Sequence, residues 1–176
     1  MSDTLSIDSL ARLLEASAIA IAGEAFALGN LARVRPAPED WCANEVIGHL
    51  IEAERRGFNG RIRLILSAAP GTEPFLPAWD QPGVAAARKD GEKATADLLH
   101  ELAELRADSI DLLHGLRPDD LGRRGSHPKV GPLRVDELAQ EWIHHDREHL
   151  KQLLDVTRAF AWNGMGAAKK FTDPTA

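Results

Sequence analysis

An all-α fold, a four-helix bundle, is what this sequence of 176 residues predicts, and three observations lead there. Four segments space their apolar residues at helical intervals. The alternation of aromatic and β-branched residues that marks strands is nearly absent, with no tyrosine and five phenylalanines. Prolines gather in the connections between the periodic segments. Long amphipathic helices rarely stand alone, and four of comparable length bury one another's apolar stripes in a bundle.

The first helix is expected from about Ser6 to Ala32, with Leu10, Leu13, Leu14, Ile21 and Leu28 facing inward. Arg35-Pro36-Ala37-Pro38 stops it, because proline lacks a backbone donor and pushes its predecessor out of the helical region. The second should run from about Ala43 to Ala69, with Asp40 or Cys42 near its cap and Glu45 in the first turn. Val46, Leu50, Ala53, Gly57, Leu64 and Ala68 form its stripe, and Pro70-Gly71 closes it. From Pro70 to Gly83 the chain carries four prolines together with Phe75, Leu76 and Trp79. A loop so long and so apolar is expected to pack onto the bundle as a lid. The third helix is expected from about Val84 to Leu116, on Leu98, Leu99, Leu102, Leu105, Ile110 and Leu113. A second long loop, Arg117 to Leu133, leads to the last helix, about Val135 to Phe160. The bundle domain thus takes residues 1–163 and a tail 164–176, and its two long loops suit a bundle capped at one mouth better than one with uniformly short turns.

Bulk properties exclude several classes. With 21 basic and 27 acidic residues the net charge is −6, and the basic residues are scattered, so no nucleic-acid partner is expected. The most apolar run, Ala16 to Gly23, is too short to cross a bilayer or to serve as a signal peptide, so no membrane is expected either. A single cysteine, Cys42, rules out an internal disulfide framework and a cysteine-built zinc site, which makes the cytoplasm the expected compartment.

Chemistry enters with His145 and His149, four residues apart in Trp142-Ile143-His144-His145-Asp146-Arg147-Glu148-His149. One helical turn places both imidazoles on one face, where they can grip one metal ion. They share a line with Leu138, Trp142, Leu153 and Val156, whereas His144 falls with Glu137, Glu148, Lys151 and Asp155 on the solvated face. Buried imidazoles need polar partners: either a shared metal, or a carbonyl or carboxylate for each ring. The best third ligand is His49, at the edge of the second helix's stripe, where Ala53, Gly57 and Gly60 leave room. Asp146 has two readings, orienting a ligating ring or pairing with an arginine. His127, in a loop that could reach the bundle mouth, is expected first of all to be exposed, and His100 and His114 to be structural or solvent-facing. Trp41, Trp79, Trp142 and Trp162 are expected to plug the core or line a pocket, and Cys42 to be a buried or capping residue. No carboxylate stands out as a general base.

Trp41-x3-Glu45-Val46-x2-His49-Leu50, followed by Gly131-Pro132-Leu133-x-Val135-x-Glu137-Leu138 and His145-x3-His149-Leu150-x-Gln152-Leu153, resembles the DinB-like (DinB/YfiT) superfamily, which includes relatives of the mycothiol-dependent isomerases. The resemblance covers nearly the whole chain. It implies a bundle of up-down-down-up connectivity, often a homodimer, with a divalent metal ion on His49, His145 and His149. The sequence departs from common members at Arg134 and Cys42, where serine or threonine is frequent. Zinc or nickel suits such a site best, and iron, manganese or copper could also serve. The resemblance implies a metal-dependent transferase in which a low-molecular-weight thiol of mycothiol, bacillithiol or glutathione type attacks an electrophilic small-molecule substrate. Its alternatives are a metal- or ligand-binding stress-response protein without turnover and a metal-dependent hydrolase.

Overall fold

The computed structural model describes residues 4–173 and 175. Four helical columns build a bundle: α1 (Ile7–Leu28); α2 (Ala43–Glu52) continued through a π-helical turn (Ala53–Phe58) into α3 (Asn59–Ser67); α5 (Thr95–His114); and α7 (Val135–Gly164). A short α4 (Gln81–Arg88) precedes the third column, and α6 (Pro118–Leu121) with a β1 (Arg124–His127), β2 (Gly131–Arg134) hairpin precedes the fourth.

Two apolar clusters fix the directions of the columns. At one end Leu10 and Leu14 meet Ile62, Ile65, Leu113 and Leu138. At the other, Ile21 and Ala25 meet Val46, Ile47, Leu98 and Val156. The first and fourth columns therefore run one way and the second and third the other, which is up-down-down-up. The first column packs along the third and fourth and touches the second only lightly, so the first and second lie diagonally.

Local capping explains where the columns begin. The Ser6 hydroxyl accepts from the Ser9 amide at 3.1 Å to open α1. At α2 and α7 the expected hydroxyl caps are replaced by Cys42 and Arg134, and the third residue of each helix compensates. Glu45 accepts from the Cys42 amide at 2.9 Å, and Glu137 accepts from the Arg134 amide at 2.9 Å.

The structure corrects the sequence reading at four places. The first helix ends at Leu28, and residues Gly29–Arg33 wind on as a 3-10 turn. The second column does not keep one register. Leu64 is exposed and Ala68 half-buried, while Ile62 and Ile65 are fully buried. The π-helical turn absorbs one extra residue, so the buried line of Val46, Leu50 and Ala53 resumes one position later than a regular helix would place it. The third helix is interrupted: Lys89 sits in the left-handed region at φ 50°, and residues 89–94 are not α-helical. Tertiary bonds hold this break, since the buried Asn44 amide donates to the carbonyls of Asp90 and Lys93 at 3.2 and 3.0 Å. The fourth column extends to Gly164, beyond the expected Phe160.

The expected Arg117–Leu133 loop contains the hairpin, too short and too poor in β-branched residues to read from periodicity. The Pro70–Gly83 segment docks against it: Leu76 N–H donates to Ser126 O at 2.8 Å and Ser126 N–H to Pro74 O at 2.9 Å. Gly125 is required there, because a Cβ would lie 2.8 Å from the Leu76 side chain and 2.9 Å from Pro74 O. Leu76 is fully buried and Trp79 half-buried by this docking, while Phe75 stays exposed. Among the described residues no helix is long and apolar enough to cross a membrane.

Candidate metal centre

His49 near the end of α2 and His145 and His149 one turn apart on α7 converge, with one nitrogen from each ring inside a 4.8 Å span. His49 Nε2 and His145 Nε2 are 3.1 Å apart. Aromatic rings wall the group: Trp41 and Trp79 lie 5.4 and 6.1 Å from His49 between ring centres, and Phe58 lies 5.2 Å from His145. Burial lowers the His49 pKa to about 4, helped by nearby His149. Burial lowers that of His145 to about 3, helped by His149 and His49. Both rings are neutral at pH 7 and offer lone pairs. The His149 Nδ1–H donates to Gln152 Oε1 at 2.8 Å, which fixes the tautomer and leaves Nε2 free to donate its electron pair.

This donor set fits a divalent ion. Two imidazole nitrogens on a tetrahedral zinc stand about 3.3 Å apart, given Zn–N bonds of about 2.0–2.1 Å. The His49–His145 pair already has nearly that spacing at 3.1 Å. Three neutral ligands would leave the ion its full charge and an open position.

Asp146, next to His145, is not an orienting partner for the rings. It forms a fork with Arg106, whose Nη2 donates to Oδ1 at 2.8 Å. Arg106 Nε donates to Glu54 at 3.0 Å and Nη1 to the Leu14 carbonyl at 3.0 Å. These three side chains are 1–2 % exposed. Burial raises the Glu54 pKa against the pull of Arg106, and Glu54 Oε1 has no partner among the described residues.

Two cavities adjoin the histidines. One of about 350 Å³ lies beside His149, lined by Trp41, Gln152 and Asp155. One of about 510 Å³ lies beside His145, lined by Ala53, Gly57, Arg61, Trp79, His127 and Glu141. His127 is therefore not the exposed loop histidine expected. The hairpin buries it to 7 % exposure and turns it toward the cavity. Glu141, one turn before His145, supplies the carboxylate that periodicity did not single out. His100, His114 and His144 are exposed. Cys42 is buried, and desolvation pushes its thiol up to about 11, which keeps it protonated at neutral pH.

The family model of the DinB superfamily matches residues 29–153. This chain belongs to the DinB superfamily. Both α7 histidines and His49 lie inside the matched span. The fold of this DinB-superfamily chain is similar to that of YfiT from Bacillus subtilis, described as a probable metal-dependent hydrolase with an unusual four-helix bundle topology. The TM-score is 0.80 at 16 % identity, with 92 % of this chain and 93 % of that one covered. No curated protein matches the sequence.

Proposed function

We propose that this DinB-superfamily chain is a metal-dependent enzyme that joins a low-molecular-weight thiol to an electrophilic small molecule, with His49, His145 and His149 as the metal ligands. The observation that carries the reading is the all-imidazole donor set. A divalent ion held there supplies enough charge to keep a coordinated thiol, or a water, deprotonated at neutral pH. The chain's own part is to place and shield the reactants. Trp41, Trp79 and Phe58 wall the rings, Gln152 fixes His149, and two cavities flank the centre, room for a thiol on one side and an electrophile on the other. A thiol needs no separate general base once its proton has gone. Zinc or nickel is the proposed metal, and the homodimer implied by the sequence resemblance and the cytoplasmic location expected from the single cysteine belong to the same proposal.

Metal-assisted hydrolysis is the second reading. Glu141 in the cavity beside His145 favours it, being a carboxylate placed to take a proton from water. The description of YfiT points the same way.

Elemental analysis of tag-free protein, followed by paired assays, separates these readings. The expected result is about one equivalent of metal, lost in His145→Ala and His149→Ala, and metal-dependent loss of glutathione or bacillithiol in the presence of 1-chloro-2,4-dinitrobenzene. Ester or amide cleavage without thiol would select hydrolysis. Metal binding with neither activity would leave a binding protein without turnover, and a parent that refuses zinc and nickel would defeat the metal reading.

A further inference from the structure

The larger cavity holds a cation that makes no salt bridge among the described residues, Glu141 being its nearest opposing charge. Arg61 of α3 lines it; Nη2 faces His127 Nε2 at 3.1 Å and donates to the Pro77 carbonyl at 3.4 Å. Its Nε is buried with no hydrogen-bond partner among the described residues. Arg88 and Arg106 show the usual arrangement in this molecule: Arg88 holds Glu52, Asp90 and Glu101, and Arg106 holds Glu54 and Asp146. Arg61 has a histidine and a carbonyl instead.

His127 sharpens the point. It is more than nine-tenths buried, and both of its nitrogens face donors, Arg61 Nη2 on one side and the Lys129 amide at 3.3 Å on the other. A neutral ring has one lone pair and cannot accept from both. Burial, Arg61 and Lys129 oppose a proton on it and Glu141 alone favours one, so around this ring the donors outnumber the acceptors. The acids that face the cavity are Asp80 and Glu141. Asp80 Oδ1 is committed to the Gly83 amide at 3.1 Å, capping α4, and Glu141 is exposed. An anion entering the cavity would meet a guanidinium with no salt-bridge partner among the described residues and with its Nε still free to donate, in a partly desolvated wall where a charge-assisted hydrogen bond is strong.

We propose that Arg61, held by His127, binds an oxyanion, the carboxylate or phosphoryl group of the small molecule that reacts at the neighbouring histidine centre. This rests on the reading of that centre as the reactive site, and it makes acidic compounds the preferred substrates.

Metal-free protein provides the test, independent of turnover. It is titrated with phenylacetate, with phenyl phosphate and with neutral phenylacetamide, followed by calorimetry and by amide NMR shifts. The expected result is saturable binding of an anion and none of the amide, with at least a tenfold loss in Arg61→Gln and a partial loss in Arg61→Lys, which keeps the charge without the fork. Preference for phenylacetate assigns a carboxylate, and preference for phenyl phosphate a phosphoryl group. The proposal is overturned by a parent that binds neither anion, by an amide that binds as tightly as the acid, or by Arg61→Gln binding as the parent does. Should Arg61→Gln fail to fold, Arg61→Lys carries the comparison. Metal content of the parent keeps the two readings apart. A parent that binds the anion and refuses zinc and nickel defeats the metal centre and upholds the anion site, whereas one that loads metal and ignores both anions does the reverse.

Discussion

Two polar clusters lie between the apolar ends of the bundle and share α7 through adjacent residues, yet they are built on opposite rules. Arg106 with Glu54 and Asp146 is a nearly closed set: opposite charges, with every Arg106 hydrogen bond but that to the Leu14 carbonyl made inside it, and Glu54 Oε1 left without a partner among the described residues. His49, His145 and His149 form an open set: imidazole rings alone, ring nitrogens converging, and cavities on two sides. Burial alone does not tell structure from site. What separates them is whether the cluster carries its own cation, as Arg106 does for Glu54 and Asp146, or offers only acceptors that invite a cation from outside.

The widest gap between the two clusters should appear on breaking the closed one. Arg106→Met leaves Glu54 and Asp146 facing each other without compensation, and a loss of about 3–5 kcal/mol in urea unfolding is expected. A loss under about 1 kcal/mol would mean that the carboxylates reach water.

Next comes pH, where the clusters should act with opposite sign. The folded pKa values of His49 and His145, about 4 and about 3, lie below the ordinary 6.5. Between those values the unfolded chain binds more protons than the native one, so the metal-free protein loses stability as pH falls below about 6.5, by up to about 1.4 kcal/mol per unit for each ring. The loss ends near the folded values. Glu54 is raised instead, so its contribution is present below its ordinary 4.5 and is lost as pH rises through the folded value. Urea midpoints of the parent and of a His49→Gln/His145→Gln variant between pH 4 and 7 check this, the variant being expected to lack most of the acid slope.

A smaller effect should follow from Gln152→Ala. His149 loses the acceptor that fixes its tautomer, and zinc affinity should weaken about 10- to 100-fold in a competition titration. Unchanged affinity would show that the ring is oriented by packing alone.

Smallest of all is the effect of His145→Ala on the metal-free protein, about 1 kcal/mol, the worth of its bond to His49. The same substitution is expected to abolish metal binding. A large loss of stability without metal would instead move the histidines into the closed, structural class.

The sequence makes the open cluster easier to read than the closed one. His145 and His149 announce a shared face by spacing, and His49 stands where small residues leave room. Arg106 and Glu54 look like ordinary polar positions on amphipathic helices, because nothing in either segment says that the opposite helix carries the counter-charge. Asp146 was legible only as a choice between two partners. His127 was hidden for a different reason: its burial depends on a hairpin of four-residue strands and on the docking of Leu76, neither of which leaves a periodic trace. The bundle itself follows from the stripes, and the break at Lys89 does not, since distant Asn44 holds it.

Arg61 stands to Ile62 as His49 stands to Leu50. Each precedes a buried residue by one position, so each lies about 100° round the helix from the core line, on the same side. Had the second column continued as a regular α-helix, position 61 would have fallen on the line of Val46, Leu50 and Ala53 and carried its guanidinium among aliphatic side chains. The one residue absorbed between Ala53 and Phe58 deals histidine and arginine onto a single edge. A ruler is thereby built into the backbone: the separation between the His49 ring and the Arg61 guanidinium is set by helix rise and not by a loop. Removing one residue from that turn would keep this edge aligned and leave the spacing nearly unchanged, because an absorbed residue widens the turn more than it lengthens it.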